Sequence, residues 1–528
     1  MGHAAAVRSD YRSGVASAAW RVTSAEEVRS RRADHQARTH RLPRRVWRRR
    51  AIWALPAGVM LVLGLLGLDR HSVWRDEAAS VIAARRTLPE LWTLLGQLET
   101  VHAVYYTLLH AWLGLGAGEV WVRVPSVLAM AVAAGLVGAL GARLVSAPVG
   151  LAGGLLFAVD PSVSYYAQEA RSTALVGACA LLATWFLLRA VDQRGRWWAA
   201  YAAAGAALVG LNLIALLVPL ALGVTLVGWR VPRRDLLRWA GATVPALAVA
   251  GGLVLVTGEQ PNQVGWIPRP GTSSLRDLAH LVAGPTLPLV VLVGLLVLTG
   301  VWPTRSSAER RLRALALPLL VVPPAALLVV SFVQPAFVAR YVFPSVAGAA
   351  LLAGLGAVRL ARLVAGRSAR PALAFALATT TAVAVVGAAG IGAQRLERTP
   401  DSRPDDLAAA AAVIAAGAQP GDVVLFVPDN RRLLSLAYPE PFVQVRDASL
   451  AAGPEAAGNL TGRPLPLAAT LHTLTESPRV WAVGRPGLAL LPAETDARAE
   501  LALLDSSFDA VQRTGSRGVG ITLYVRRG

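Results

Sequence analysis

The sequence predicts an α-helical polytopic membrane protein of about eleven spans, followed by a small extracytoplasmic α/β domain. Three observations predict it. Of the 528 residues, 55% are hydrophobic and only 16% charged, where a soluble chain has roughly a quarter charged. Apolar runs long enough to cross a bilayer recur as far as residue 391. Short arginine tracts separate those runs, and they carry the net charge of +20 without a single lysine. So placed, the arginines read as positive-inside topology rather than as a nucleic-acid surface. Arginine without lysine is also the coding bias of a high-GC bacterium.

The elements follow in order. Residues 1–50 are polar, end in RLPRRVWRRR and lack a cleavage site after the first apolar run. They read as a disordered cytosolic tail held at the inner leaflet by its arginines. Spans are expected at 51–69, 124–143, 147–161, 172–190, 197–211, 213–228, 239–257, 279–301, 314–333, 343–361 and 372–391. With every arginine tract cytosolic, these alternate without contradiction, provided that YYTLLHAWLGLG at 105–116 does not cross. Twelve residues are too few to span and suit an interfacial helix. Residues 51–392 thus form one transmembrane domain. Outside lie the long loop 70–123, the loops at 164–172, 258–271 and 334–345, and the segment 393–528. That last segment has a helical pattern at 405–418 and strand patterns at 421–428, 479–485 and 520–527. The one cysteine, Cys179, excludes an internal disulfide.

The chemistry gathers on the outer side. The first loop opens WRDEAAS, with Arg75, Asp76 and Glu77 just past the first span. A solvated loop start explains such a pair; so does a base acting on a hydroxyl. The same face offers Glu99, His102, Arg123, Glu169, Arg171, Glu259, Arg269 and Arg340. Carboxylates beside several guanidinium forks suit an anionic sugar-phosphate and a hydroxyl to be deprotonated. Glu99 and His102 stand three apart and on one helix face could hold a divalent metal; water or backbone equally satisfies a histidine there. Glu169 and Arg171 read as a helix-capping pair or as substrate contacts. Arg123 reads as a snorkelling residue or as a phosphate ligand.

In this order the motifs resemble those of the GT-C membrane glycosyltransferases, in the branch of the protein O-mannosyltransferases and aminoarabinose–lipid A transferases. The matching stretches are WRDEAAS, ETVHAVYYTLLHAW at 99–112, RVPS at 123–126, PSVSYYAQEARSTAL at 161–175 and RYVFP at 340–344. Two positions depart from the pattern: Ala103-Val104 follow His102 where Pro-Pro is usual, and Thr173 stands for a tyrosine. The resemblance implies a sugar taken from a polyprenyl-phosphate donor and passed, with inversion, to a glycan, lipid or protein acceptor outside a bacterial plasma membrane. It makes Asp76 the general base, with Glu77 beside it, and gives the donor phosphate to Arg171, Arg340 and Arg123. Arg75, Tyr105, Tyr106, Tyr166, Gln168 and Tyr341 would line the substrate pocket. His102, Glu99 and Glu169 would be ligands if a divalent metal takes part; no other cofactor and no nucleic acid are expected. A flippase of lipid-linked saccharides and a non-catalytic scaffold are the competing readings. Charges crowded at one face, with spans nearly free of them, favour surface chemistry over passage.

Overall fold

A computed structural model describes residues 50–258 and 267–528. The tail predicted over 1–50, save its last residue, and Glu259 lie outside the described residues.

All eleven predicted apolar runs fall on helices. The first is α1, Arg50–Leu65. In the loop that follows, α2 (Arg75–Ala84), α3 (Leu88–Gln97) and α4 (Ala103–Leu113) are each ten or eleven residues long. At about 1.5 Å per residue none can cross a ~30 Å core, as the sequence requires of 105–116. Glu90 starts α3 by accepting from the Thr87 amide at 3.0 Å.

The bundle continues with α5 (Glu119–Leu144), α6 (Ala147–Val159), α7 (Pro161–Ala167), α8 (Thr173–Gln193), α9 (Trp197–Leu211), α10 (Leu217–Gly228) and α11 (Arg233–Thr257). Further along the chain come α12 (Thr272–Ala283), α13 (Leu287–Val301), α14 (Ser307–Val333), α15 (Ser345–Ala365) and α16 (Pro371–Leu396). Among the described residues, six of these helices are long and apolar enough to cross: α5, α8, α11, α14, α15 and α16. The number reaches eight if each bent pair counts as one span. The remaining three predicted spans, on α1, α9 and α10, are shorter apolar helices.

One predicted span is corrected. The run 279–301 is broken, with α12 and α13 meeting at 72°. Gly284 takes φ +96 at the break, which favours glycine, and Pro285 follows it. A second bend, of 63°, separates α6 from α7. There Asp160 caps α7 by accepting from the Ser162 amide at 2.8 Å.

Small residues allow the helices to approach closely. A Cβ on Gly356 of α15 would collide with the Leu296 carbonyl oxygen of α13, and one on Gly150 of α6 with the Gly138 carbonyl oxygen of α5.

The two ends of the bundle differ. At one end Asp192, closing α8, accepts from Arg143 of α5 at 2.7 Å and Arg311 of α14 at 2.8 Å. Glu309 accepts there from Arg359 and Arg362 of α15. The arginine tracts assigned to a common side thus meet. The opposite ends of α5, α8 and α15 converge on the first loop.

The last domain opens with α17 (Leu407–Gly417). Its strands are β1 (Val423–Val427), β2 (Arg446–Asp447), β3 (Leu450–Ala452), β4 (Arg463–Pro464), β5 (Arg479–Gly484), β6 (Phe508–Ser516) and β7 (Val519–Arg526). A five-stranded sheet runs β2-β1-β5-β7-β6, with β1 parallel to β2 and β5, and β7 antiparallel to β5 and β6. The three predicted strands are its centre, β1, β5 and β7. Strand β6, at the exposed edge, and the helices Leu467–Glu476 and Thr495–Ser507 were not foreseen.

Candidate active site

The site forms where α2 begins. Arg75, Asp76 and Glu77 occupy its first turn, where the helix dipole favours carboxylates. Successive side chains on a helix point about 100° apart, so the neighbours Asp76 and Glu77 face opposite surroundings.

Glu77 faces inward and is fully buried. It accepts from Arg123 Nε at 2.9 Å and Nη2 at 2.8 Å, and from the Ala170 amide at 2.7 Å. Arg123 is equally buried. Its other bonds run to the carbonyls of Leu68, His71 and Ser72 at 3.0 to 3.1 Å. All five guanidinium hydrogens are therefore spent. Burial would push the Glu77 carboxyl up, but Arg123 and its hydrogen bonds hold it below the usual range. Two expectations are corrected here. Arg123 has no donor left for a lipid phosphate, and Glu77 has no free oxygen for chemistry. They tie the first loop to α5.

Asp76 faces outward. Arg340, on the 3₁₀ turn before α15, donates from Nη1 to Asp76 Oδ2 at 3.0 Å. Arg171, in the loop entering α8, places Nη2 4.0 Å from the same oxygen. Its Nη1 donates to the Asp76 carbonyl at 3.2 Å and to Ser80 Oγ at 3.3 Å. The three charged side chains stay 27%, 20% and 14% exposed for Asp76, Arg340 and Arg171. Burial raises the Asp76 carboxyl, but Arg171, Arg340 and Arg75 outweigh it and keep it below the usual carboxylate range.

Beside this triad lie Glu99 and His102. Glu99 adopts φ +63, a left-handed conformation uncommon for a non-glycine residue. It accepts from the Tyr106 hydroxyl at 3.0 Å and stands 3.5 Å from His102 Nε2. Burial raises the Glu99 carboxyl against the pull of Arg171, and burial lowers the His102 imidazole to about 3, leaving it neutral. The two share a 3₁₀ turn rather than the helix face the spacing suggested. Among the described residues, no group of three or more His, Cys, Asp or Glu side chains is placed to hold a metal ion. Glu99 and His102 supply two donors, and a divalent ion held there would need water or substrate oxygens to complete its shell.

Glu169 is buried with its carboxyl raised to about 7, chiefly by burial. The remaining pocket candidates divide. Tyr341 is partly exposed and packs under the Arg340 guanidinium, 5.8 Å from its ring. Tyr106 is buried and reaches the site through its hydroxyl. Tyr105 is buried against it, and Tyr166 packs edge-on to Phe343 at 5.2 Å. Gln168 is not in the pocket, because its amide is spent inside, donating to the carbonyls of Gly64 and Leu66 at 3.0 and 2.9 Å. Arg75 turns toward the last domain, 3.7 Å from Asp405. The sequence reading missed Ser80, which holds Arg171, and Arg403, Asp405 and Arg431. These three come from a polar stretch and a loop with no periodicity to mark them.

Comparisons with known proteins bear on the fold and on one segment of the chain. Residues 92–257 match the family model described as dolichyl-phosphate-mannose-protein mannosyltransferase. Among curated proteins nothing matches the chain. Among solved structures, ArnT from Cupriavidus metallidurans in the apo state superposes with a TM-score of 0.57 at 17% identity, over 89% of this chain and 97% of that one. The same protein bound to undecaprenyl phosphate gives 0.54 at 18%, with the same coverage. The chain shares the fold of ArnT, and the segment that matches the family model lies within the stretch whose motifs resemble the GT-C glycosyltransferases.

Proposed function

We propose that this chain moves a sugar from a polyprenyl-phosphate donor to an acceptor hydroxyl, inverting the anomeric carbon, with Asp76 as general base. One observation carries the reading: a partly exposed carboxylate sits between two partly exposed guanidinium groups, while the carboxylate next to it is sealed away. The ArnT structure with undecaprenyl phosphate supports a lipid-phosphate donor on this fold.

The residues act as follows. The acceptor oxygen attacks the anomeric carbon from the side opposite the phosphate. Its proton passes to the Asp76 oxygen not held by Arg340. The bond from the anomeric carbon to the phosphate oxygen breaks, and its electron pair leaves with the phosphate, whose charge Arg171 and Arg340 offset. Those same arginines depress the basicity of Asp76. An arriving donor phosphate draws them off, so that donor binding restores the base it needs.

The active face is extracytoplasmic, on a bacterial plasma membrane. The pairing of Arg143, Arg311, Arg359 and Arg362 with acids at the other end of the bundle supports this orientation. Mannose or arabinose is the sugar proposed, and a glycan, lipid or protein the acceptor. The test is a screen of purified protein against polyprenyl-phospho-sugars, with and without a chelator. The chelator arm asks whether the donor brings a divalent ion to Glu99 and His102. Asp76→Asn should lower turnover about 10²–10⁴-fold with the fold intact. Full turnover in that variant removes the base assignment.

A further inference from the structure

The segment Arg403–Asp406 links the last membrane helix to the last domain, and it reaches back to the strand of chain leading into Asp76. Arg403 is buried. Its Nη2 lies 3.0 Å from His71 Nε2 and donates to the carbonyls of Tyr165 and Gln168 at 3.0 and 3.1 Å. Its guanidinium carbon stands 3.9 Å from the centre of the Tyr165 ring. Ser72 Oγ donates to Asp406 Oδ1 at 2.8 Å. The Val73 amide donates to the Tyr438 hydroxyl, which in turn donates to Glu119 at 2.6 Å. Arg75 Nε stands 3.7 Å from Asp405 Oδ2, and Arg431 3.9 Å from Asp405 Oδ1. Residues 71, 72, 73 and 75 are thus each held by a side chain of this link or domain.

We infer that the Arg403–Asp406 link is a positioning element for Asp76, with Arg403 fixing the chain ahead of it and Asp405 holding Arg75 aside. The inference rests on the reading of Asp76 as the base. Five other charged or titratable side chains bear on that carboxylate: Arg171 from the loop before α8, Arg340 before α15, Glu99 and His102 between α3 and α4, and Tyr106 of α4. Among the described residues, Arg75 is a cation that Asp76 shares with the link. A buried Asp405 competes for it and adds a negative charge nearby, and both effects keep Asp76 more basic.

Two variants test this, each assayed as full-length protein against an active polyprenyl-phospho-sugar. Arg403→Ala lets the chain before Asp76 shift, and displacement of a catalytic group by about 1 Å costs on the order of 10²-fold. The expected result is a fall of that size in kcat with the donor KM unchanged. Asp405→Asn keeps the shape and removes the charge, so the acid limb of kcat/KM should move to lower pH. A wild-type kcat in the first, or an unmoved acid limb in the second, overturns the inference. Should Arg403→Ala fail to insert, the isosteric Asp405→Asn decides alone. Failure of the underlying reading looks different, because Asp76→Asn would then stay active.

Discussion

The two sides of α2 make opposite use of the same chemistry. On the packed side, Glu77 and Arg123 form an ion pair with no exposure and every hydrogen bond filled. On the open side, Asp76, Arg171 and Arg340 form a looser set, one contact at 3.0 Å and another at 4.0 Å, each side chain partly exposed. A saturated pair has nothing left to offer a substrate. An unsaturated one does, and it stays charged because its arginines outweigh its burial. Adjacent carboxylates therefore carry different duties, and exposure together with unfilled hydrogen-bonding capacity tells them apart.

The largest effect expected from this contrast is on stability. Glu77→Gln leaves the Arg123 guanidinium buried without a counter-charge, and breaking a buried pair in this way costs about 3–5 kcal/mol. The variant should give less membrane-inserted protein and a lower melting temperature in detergent, whereas Asp76→Asn should melt as wild type. A Glu77→Gln protein with normal melting and impaired turnover would reverse the assignment of the two sides.

Next in size are changes to the arginines of the open side. Arg340→Ala removes the closest cation from Asp76, and Arg171→Ala the next. Each should raise the donor KM, because the phosphate loses a guanidinium. Each should also raise the Asp76 carboxyl. The depressed carboxyl stays ionised, and the base competent, down to below the ordinary aspartate value of about 3.9. Removing a cation moves the loss of activity to higher pH. Arg340→Ala should move the acid limb of kcat/KM further than Arg171→Ala, since its contact is the shorter. Acid limbs unchanged in both variants would mean that neither arginine sets the charge state of the base.

Much of this was legible in the sequence. Composition and arginine spacing placed eleven apolar runs, and all eleven are helical, because a bilayer core leaves a backbone few other options. The ordered motifs brought Asp76, Arg171 and Arg340 together from positions up to 264 residues apart. The inward turn of Glu77, Arg123 and Gln168 was not legible. Nothing local distinguishes a charged residue facing a cavity from its neighbour facing the core when both begin the same helix. The break at Gly284-Pro285 was written in two adjacent residues, yet hydropathy averaged over a window passes across it. The part played by Arg403 and Asp405 was hidden for another reason. Their partners His71 and Arg75 lie some 330 residues earlier, and a polar linker has no periodicity to show which way its side chains point.

The smallest expected effect falls at Ser80, where the open side meets the helix that carries it. Its hydroxyl donates to the Asp76 carbonyl at 3.1 Å and accepts from Arg171 Nη1 at 3.3 Å. Arg171 also donates to that carbonyl, so the loss of one hydroxyl leaves it a second anchor. Ser80→Ala should therefore cost about 0.5–1.5 kcal/mol, read as a several-fold rise in donor KM with kcat nearly unchanged. The split matters more than its size. Ser80 orients the arginine proposed to hold the donor phosphate and meets Asp76 only at its carbonyl, so a change confined to kcat would instead place Arg171 on the base side of the reaction rather than on the donor side.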